Sequence, residues 1–344
     1  MKETEIPAFA GMTPVGLAGM TPVGMAGMSL VGRMRLVGFR LEAARPTDSA
    51  LSASRRPGYS GRERRQRFRT AMTSFDITRL ADILRDASRK ETLPRFRRLD
   101  RGQVRAKSEA IDLVTEADEA AERQIKADVA AAWPEALFVG EESVAAEPAL
   151  LDRLDDADFA MVVDPVDGTA NFAAGLPLYA TMAAVVRRGE TIAGIIYDPM
   201  GDDWVVAEKG GGAWLRRPDG DATRLGVAKA PALSQMVGHI SITFMPSEGK
   251  AELLANLAKV RVAANYRVAG HDYRTLASGH CHFVAYNKLM PWDHLGGTLI
   301  AEEAGGFARR FDGSRYLPQH RTGGLIVTTD PDTWSLLRRE VFTV

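Results

Sequence analysis

The 344-residue sequence predicts a layered α/β sandwich over residues 72–344, preceded by a disordered extension over residues 1–71. Three observations carry this. Helical and antiparallel-strand patterns mix along 72–344 without the regular βαβ alternation of a doubly wound sheet. No linker-like stretch divides that range. Composition also breaks near Met72: residues 1–71 hold 12 basic and 5 acidic side chains, a net +7, whereas the rest hold 32 and 39, a net −7. The overall balance of 44 Lys+Arg against 44 Asp+Glu hides two unlike parts, and a 45% hydrophobic content excludes disorder throughout.

In the extension an octapeptide recurs as Ala10–Leu17, Ala18–Met25 and Ala26–Arg33. Its period matches no common solenoid, and two Gly per unit with Pro14 and Pro22 leave little side chain to bury. Lys2, Glu3 and Glu5, followed by apolar residues broken by Gly and Pro, argue against a secretory signal, and nothing there is a membrane span. The Arg- and Ser-rich stretch 33–69 fits a transit peptide or a basic arm on nucleic acid. The reading adopted is a non-structural extension, with the natural start at Met72. A single Cys, Cys281, cannot close an internal disulfide, so the expected compartment is the cytoplasm.

After Met72, Ser74 or Asp76 can cap a helix whose apolar positions Ile77, Leu80, Ala81, Leu84 and Ala87 follow helical spacing, with Pro94 near its end. A second helix is predicted over about Asp118–Trp133 on Ala121, Ile125, Val129 and Ala132, and Pro134 stops it. Leu137–Val139 and Phe159–Val163 read as strands delivering carboxylates at their C-terminal ends. Residues 180–215 read as antiparallel: Thr181–Val186, Thr191–Tyr197, Asp203–Glu208 and Ala213–Leu215, with turns at Arg188-Gly189-Glu190 and Gly210–Gly212. Further helices are expected at about 248–259 and 292–304, a strand continuing through Phe283-Val284-Ala285, and a last strand at Leu325–Thr328.

The densest chemistry lies in Asp164-Pro165-Val166-Asp167-Gly168-Thr169-Ala170-Asn171-Phe172. Pro165 cannot continue a central strand, so the chain is expected to turn there and present Asp164 and Asp167 together. Two carboxylates about 4 Å apart repel by roughly 4 kcal/mol at an effective dielectric near 20, which calls for a cation between them. Oxygen ligands suit a hard ion such as Mg²⁺. Gly168 lets a ligand approach the backbone, and Thr169 offers a hydroxyl near a helix start. Taken alone, the segment also reads as an Asp-Gly turn with a helix cap.

Three more stretches narrow the choice: Lys107-Ser-Glu-Ala-Ile-Asp112-Leu-Val-Thr115-Glu-Ala-Asp118, Phe138-Val-Gly-Glu141-Glu142-Ser143 and Pro291-Trp292-Asp293. In order and spacing the four together resemble the motifs of the inositol monophosphatase family, and the resemblance covers residues 72–344. It implies the αβαβα layering of the inositol monophosphatase and fructose-1,6-bisphosphatase type. It also implies a Mg²⁺-dependent phosphomonoesterase holding two or three ions on Glu141, Asp164, the carbonyl of Val166, Asp167 and Asp293. Asp118, Thr169 and Glu141 would serve the attacking water, Gly168 and Thr169 the phosphate, and Asp293 also the leaving alcohol. Asp112 and Thr115 read as supporting the site or as local cap and turn residues, Lys107 as supporting or as a solvated charge, and Glu142 as supporting or solvated.

The implied partner is a small phosphorylated metabolite, inositol 1-phosphate by default. Histidinol phosphate, fructose 1,6-bisphosphate and 3′-phosphoadenosine 5′-phosphate are the alternatives. A homodimer is expected, a membrane partner is not, and a nucleic-acid or transcription-machinery role is the competing class. The chain departs from the family at Ala170, where a hydroxyl is usual. It departs again at Gly270-His271-Asp272-Tyr273 and at Tyr286-Asn287, which replace a small pocket floor and a Glu, so His271 and Asp272 are candidate substrate contacts. His280-Cys281-His282 reads as structural, since no third ligand is nearby. Lys209 with its three Gly lacks the pattern of a phosphate-binding loop.

Overall fold

Asp76 opens the first helix, Ile77–Ala87, its carboxylate accepting the Thr78 amide at 2.9 Å. The computed structural model describes residues 75–107, 111–245 and 247–343. The extension, the Met72 start and the Ser74 cap lie outside these residues. Ile77, Leu80, Ala81, Leu84 and Ala87 are buried, as their spacing predicts. Past Ala87 the chain widens into a π turn, Ser88–Thr92, then tightens into a 3₁₀ turn, Leu93–Arg95, so Pro94 sits inside the final turn.

The second helix, Glu116–Ala132, starts ahead of Asp118 because Thr115 caps it. The Thr115 hydroxyl accepts the Ala117 amide at 3.2 Å, while the Asp118 carboxylate accepts the Thr115 amide at 3.0 Å. Leu84, Ile125 and Val129 of these two helices pack on Val163, Val185 and Ile195 of the larger sheet. That sheet runs in the order Leu137–Gly140, Ala160–Asp167, Ala180–Arg187, Glu190–Asp198, Asp203–Glu208, Ala213–Arg216, Ala222–Arg224. Its first pair is parallel and the others antiparallel.

One expectation fails here: the strand predicted to stop at Val163 runs on through Pro165 to Asp167. The ladder explains it. Asp164 faces Met182 and Asp167 faces Ala180, so the register shifts between them and Pro165 falls where the ladder requires no amide from it.

The smaller sheet has the order Val262–Ala264, Val237–Ser241, Phe283–Tyr286, Leu325–Thr328, Phe307–Arg310, its first three strands parallel. Between the sheets lie helices Ala269–Ala277 and Pro291–Glu303. Tyr273, Leu276, Leu295 and Ile300 join Met182 and Val205 of one sheet to Val284 and Val327 of the other. A Cβ at Gly296 would stand 2.7 Å from the Ala183 carbonyl oxygen, so only Gly lets the second of these helices press onto the strand backbone. Helices Ser247–Leu257 and Pro331–Glu340 cover the outer face, with Leu253, Leu257 and Leu337 on Phe283 and Ile326. Helix, sheet, helix, sheet, helix is the expected αβαβα sandwich. Among the described residues no helix is long and apolar enough to cross a membrane.

Candidate active site

Four chain segments meet at a cavity of about 800 Å³. The bulged end of strand Ala160–Asp167 brings Asp164, Val166 and Asp167, and Gly168 follows with φ +88, a left-handed conformation that glycine adopts without strain. Thr169 then opens the short helix Thr169–Ala173. Asp293 comes from the first turn of helix Pro291–Glu303, which Pro291 starts. Glu141 opens helix Glu141–Ala146 directly after strand Leu137–Gly140. All of these residues line the cavity.

One carboxylate oxygen each from Asp164, Asp167 and Asp293 lies within 4.8 Å of the others. Burial pushes Asp164 and Asp167 well above the usual carboxylate range, with Glu141 adding to the first and Asp293 to the second; Asp293 is pushed up to about 7, again by burial and then Glu141. A set of oxygen-only donors whose buried charges oppose one another fits a hard divalent cation. Glu141 stands at the edge of this group: its Oε1 accepts from Lys107 Nζ at 2.7 Å, and the same ammonium donates to Glu142 Oε1 at 2.6 Å. Lys107 is thus no solvated charge. Burial opposes its ionisation, but the Glu141 and Glu142 carboxylates more than offset this and hold its pKa above the ordinary lysine range. Glu142 is supporting rather than solvated, and burial raises it to about 8.

Asp118 lies fully buried behind the cavity wall. Its Oδ1 accepts from Thr169 Oγ1 at 3.0 Å and its Oδ2 from Thr115 Oγ1 at 2.5 Å. Burial pushes this carboxyl up to about 7 against those hydrogen bonds. Thr169 Oγ1 is equally close, 3.0 Å, to the Val166 carbonyl. Asp167 also accepts the amides of Ala269 at 3.1 Å and Gly270 at 2.5 Å, tying helix Ala269–Ala277 to the cluster.

The two predicted substrate contacts part company. Asp272 lines the cavity, but His271 does not: its Nε2 lies 3.1 Å from the Tyr179 carbonyl, because one step along a helix turns it to another face. The partner of Asp272 is His239, with Nδ1 2.9 Å from Oδ1, while the Tyr286 hydroxyl donates to Oδ2 at 3.2 Å. Helix Ala269–Ala277 buries Asp272 with Ala269, Tyr273 and Leu276 and leaves His271 half-buried elsewhere, a placement that no local pattern of the sequence marks. Nothing in the sequence pairs His239 with a residue 33 positions away. Ala170 and Tyr286 line the cavity, Asp112 lines it as well, and Thr115 is the helix cap expected of it.

With fold and cavity in view, likeness to known proteins gives the class: the chain is a phosphoric monoester hydrolase. It belongs to the inositol monophosphatase family, whose profile matches residues 75–340. The inositol-1-monophosphatase of Mesorhizobium japonicum is 33% identical over 211 residues, 59% of this chain and 74% of that one. The fructose-1,6-bisphosphatase/inositol-1-monophosphatase of Thermotoga maritima is 28% identical over 204 residues, 59% and 73% of the two chains. Among solved structures, the extragenic suppressor protein suhB of Bartonella henselae superposes with a TM-score of 0.65 at 27% identity, covering 77% of this chain and 97% of its own.

Proposed function

We propose that residues 72–344 form a Mg²⁺-dependent phosphomonoesterase acting on a small phosphorylated metabolite, with inositol 1-phosphate as the default substrate. The carrying observation is one wall that holds the Asp164–Asp167–Asp293 cluster beside the hydrogen-bonded pair Thr169–Asp118. Glu141, Asp164, the Val166 carbonyl, Asp167 and Asp293 would hold two or three Mg²⁺ ions. Bound there, the ions would reverse the sign of the carboxylate field, polarise the phosphate and acidify a water.

The chain's own part follows from the proton positions. A Thr169 hydroxyl that donates to Asp118 Oδ1 turns its lone pairs away from Asp118, where they accept a proton from a water in the cavity. Its own proton is then free to pass to Asp118, whose pKa near 7 suits a base at neutral pH. Glu141 would contact the same water. The Gly168 and Thr169 amides would hold phosphate oxygens, and Asp293 would face the leaving alcohol. Asp272 is kept as a substrate-side candidate, and His271 is not. The cytoplasm and a homodimer complete the reading.

The test is phosphate release by the full chain with Mg²⁺ from inositol 1-phosphate, histidinol phosphate, fructose 1,6-bisphosphate and 3′-phosphoadenosine 5′-phosphate, compared by kcat/KM. Release that stops with EDTA and returns with Mg²⁺ is expected. No release from any of them, or release indifferent to EDTA, overturns it.

A further inference from the structure

The cavity is electrically two-faced. The acidic face is the carboxylate cluster; the other is built by the three parallel strands of the smaller sheet. Val237–Ser241, Val262–Ala264 and Phe283–Tyr286 run in one direction, so their carboxyl ends open at the same edge, where ligands of such sheets bind. The lining residues supplied at or just beyond those ends include Ser241, Thr243, Asn265, Arg267, Tyr286 and Lys288, two cations among them, while the lining carboxylate beside Tyr286, Asp272, is taken up by His239 and the Tyr286 hydroxyl.

The other cations of the cavity are engaged. Arg105 pairs with Glu119 at 2.5 Å, and Lys107 bridges Glu141 and Glu142. Among the described residues Arg267 and Lys288 have no carboxylate within ion-pair distance. Lys288 Nζ stands 4.2 Å from the centre of the Phe244 ring, and its charge acts on Asp293 without coming within ion-pair distance of it. Arg267 is exposed, and its backbone is pinned at φ 58 with its amide donating to Asn265 Oδ1 at 2.9 Å. A non-glycine residue held in the left-handed region and aimed into a cavity is strain retained at a functional place.

We propose that Arg267 and Lys288, with the Ser241, Thr243 and Asn265 side chains beside them, bind a second anionic group of the substrate, so that the preferred phosphomonoester carries a further phosphate or carboxylate. This rests on the phosphomonoesterase reading of the same cavity. A guanidinium offers paired donors to either anion, and the neighbouring hydroxyls and amide supply neutral donors.

The test compares substrates differing only in the second group. Glucose 1,6-bisphosphate is set against glucose 1-phosphate for phosphate, and 3-phosphoglycerate against glycerol 3-phosphate for carboxylate. For the full chain with Mg²⁺, kcat/KM is expected to favour the doubly anionic member of one pair at least tenfold, which identifies the group bound. In Arg267→Gln, and separately in Lys288→Met, that ratio is expected to fall at least tenfold, mainly through KM. Equal kcat/KM within both pairs, or a ratio untouched by Arg267→Gln, overturns the proposal. If neither these compounds nor the four phosphates named for the proposed function are turned over, the phosphomonoesterase reading fails, and calorimetric titration of glucose 1,6-bisphosphate into parent and Arg267→Gln proteins decides the anion site alone. Affinity weakened at least tenfold supports it; equal affinity overturns it.

Discussion

Replacing Asp164 by Asn keeps the shape of the side chain and its acceptor for the Val166 amide, now 3.0 Å from Oδ1, while removing one charge from a cluster in which Asp164 and Asp167 are buried and Asp293 is half-buried. Two consequences of opposite sign follow. Turnover with Mg²⁺ is expected to fall by about 100-fold or more, since stabilisation of the transferring phosphoryl charge by a bound cation is of several kcal/mol. The metal-free protein should instead melt at a higher temperature, because like charges at roughly 4 Å repel by about 4 kcal/mol at an effective dielectric near 20. A melting temperature that drops in EDTA would show that Asp164 is paired rather than opposed. Thr169 gives a sharper residue-level contrast. Thr169→Ser keeps the hydroxyl that donates to Asp118 Oδ1 and should retain kcat within about tenfold. Thr169→Val removes the proton path and should lose about 10²–10⁴-fold in kcat, read from initial rates at saturating substrate.

At the scale of elements, helix Pro291–Glu303 links the packing of the two sheets to the site. It brings Asp293 to the cavity from a position pressed against the larger sheet, where a Cβ on Gly296 would meet the Ala183 carbonyl oxygen at 2.7 Å. Gly296→Ala is therefore expected to destabilise the protein by about 1–3 kcal/mol in urea unfolding, and to lower turnover by shifting Asp293. An unchanged midpoint would mean the layers separate without cost. The same elements show why the sequence was legible in some places and not in others. The helix Ile77–Ala87 follows a local pattern because it buries one face, and the central strands from Ala180 to Glu208, buried on both faces between helical layers, stand out as short apolar runs bounded by turns. The parallel strands Val237–Ser241 and Val262–Ala264, joined through helix Ser247–Leu257, are only five and three residues long, too short for a local period to mark them. Helix Ala269–Ala277 hides because it lies between two sheets and buries residues on several sides, Ala269, Gly270, Asp272, Tyr273, Leu276 and Ala277. Motif spacing could gather Asp164, Asp167 and Asp293. It could not show that Lys107 would be drawn in between Glu141 and Glu142, since that contact depends on where the strands Val104–Ala106 and Leu113–Thr115 pair.

Across the whole molecule, the −7 of residues 72–344 and the acidic cluster make stability depend on pH and on cation together. Burial raises Asp118 and Asp293 to about 7 and lifts Asp164 and Asp167 well above the usual range, whereas in the unfolded chain these groups ionise near 3.8. Between those values these four carboxyls bind more protons in the folded, metal-free protein than in the unfolded chain, so their contribution falls as pH rises; buried His294, lowered to about 4, opposes them below its ordinary value of 6.5, and above that the carboxyls set the sign. The contribution is fully present below about pH 4 and is lost through pH 7. Lys107 does not alter this sign, because it stays charged in both states over that window. A divalent cation replaces the missing protons, and its binding to the folded state alone adds stability that grows as the carboxylates ionise. Thermal melts of the full chain in EDTA from pH 5 to pH 8 should therefore show a melting temperature that falls above about pH 6.5, where His294 is neutral in both states. Melts with excess Mg²⁺ should show a much smaller fall, so that the Mg²⁺-induced rise is larger at pH 8 than at pH 5. Substituting Asp164→Asn should shrink both the slope in EDTA and the Mg²⁺ effect. A melting temperature that rises above about pH 6.5 in EDTA, or a Mg²⁺ effect independent of pH, would mean that these carboxylates are already ionised and compensated within the protein, and that the cluster has no need of a cation.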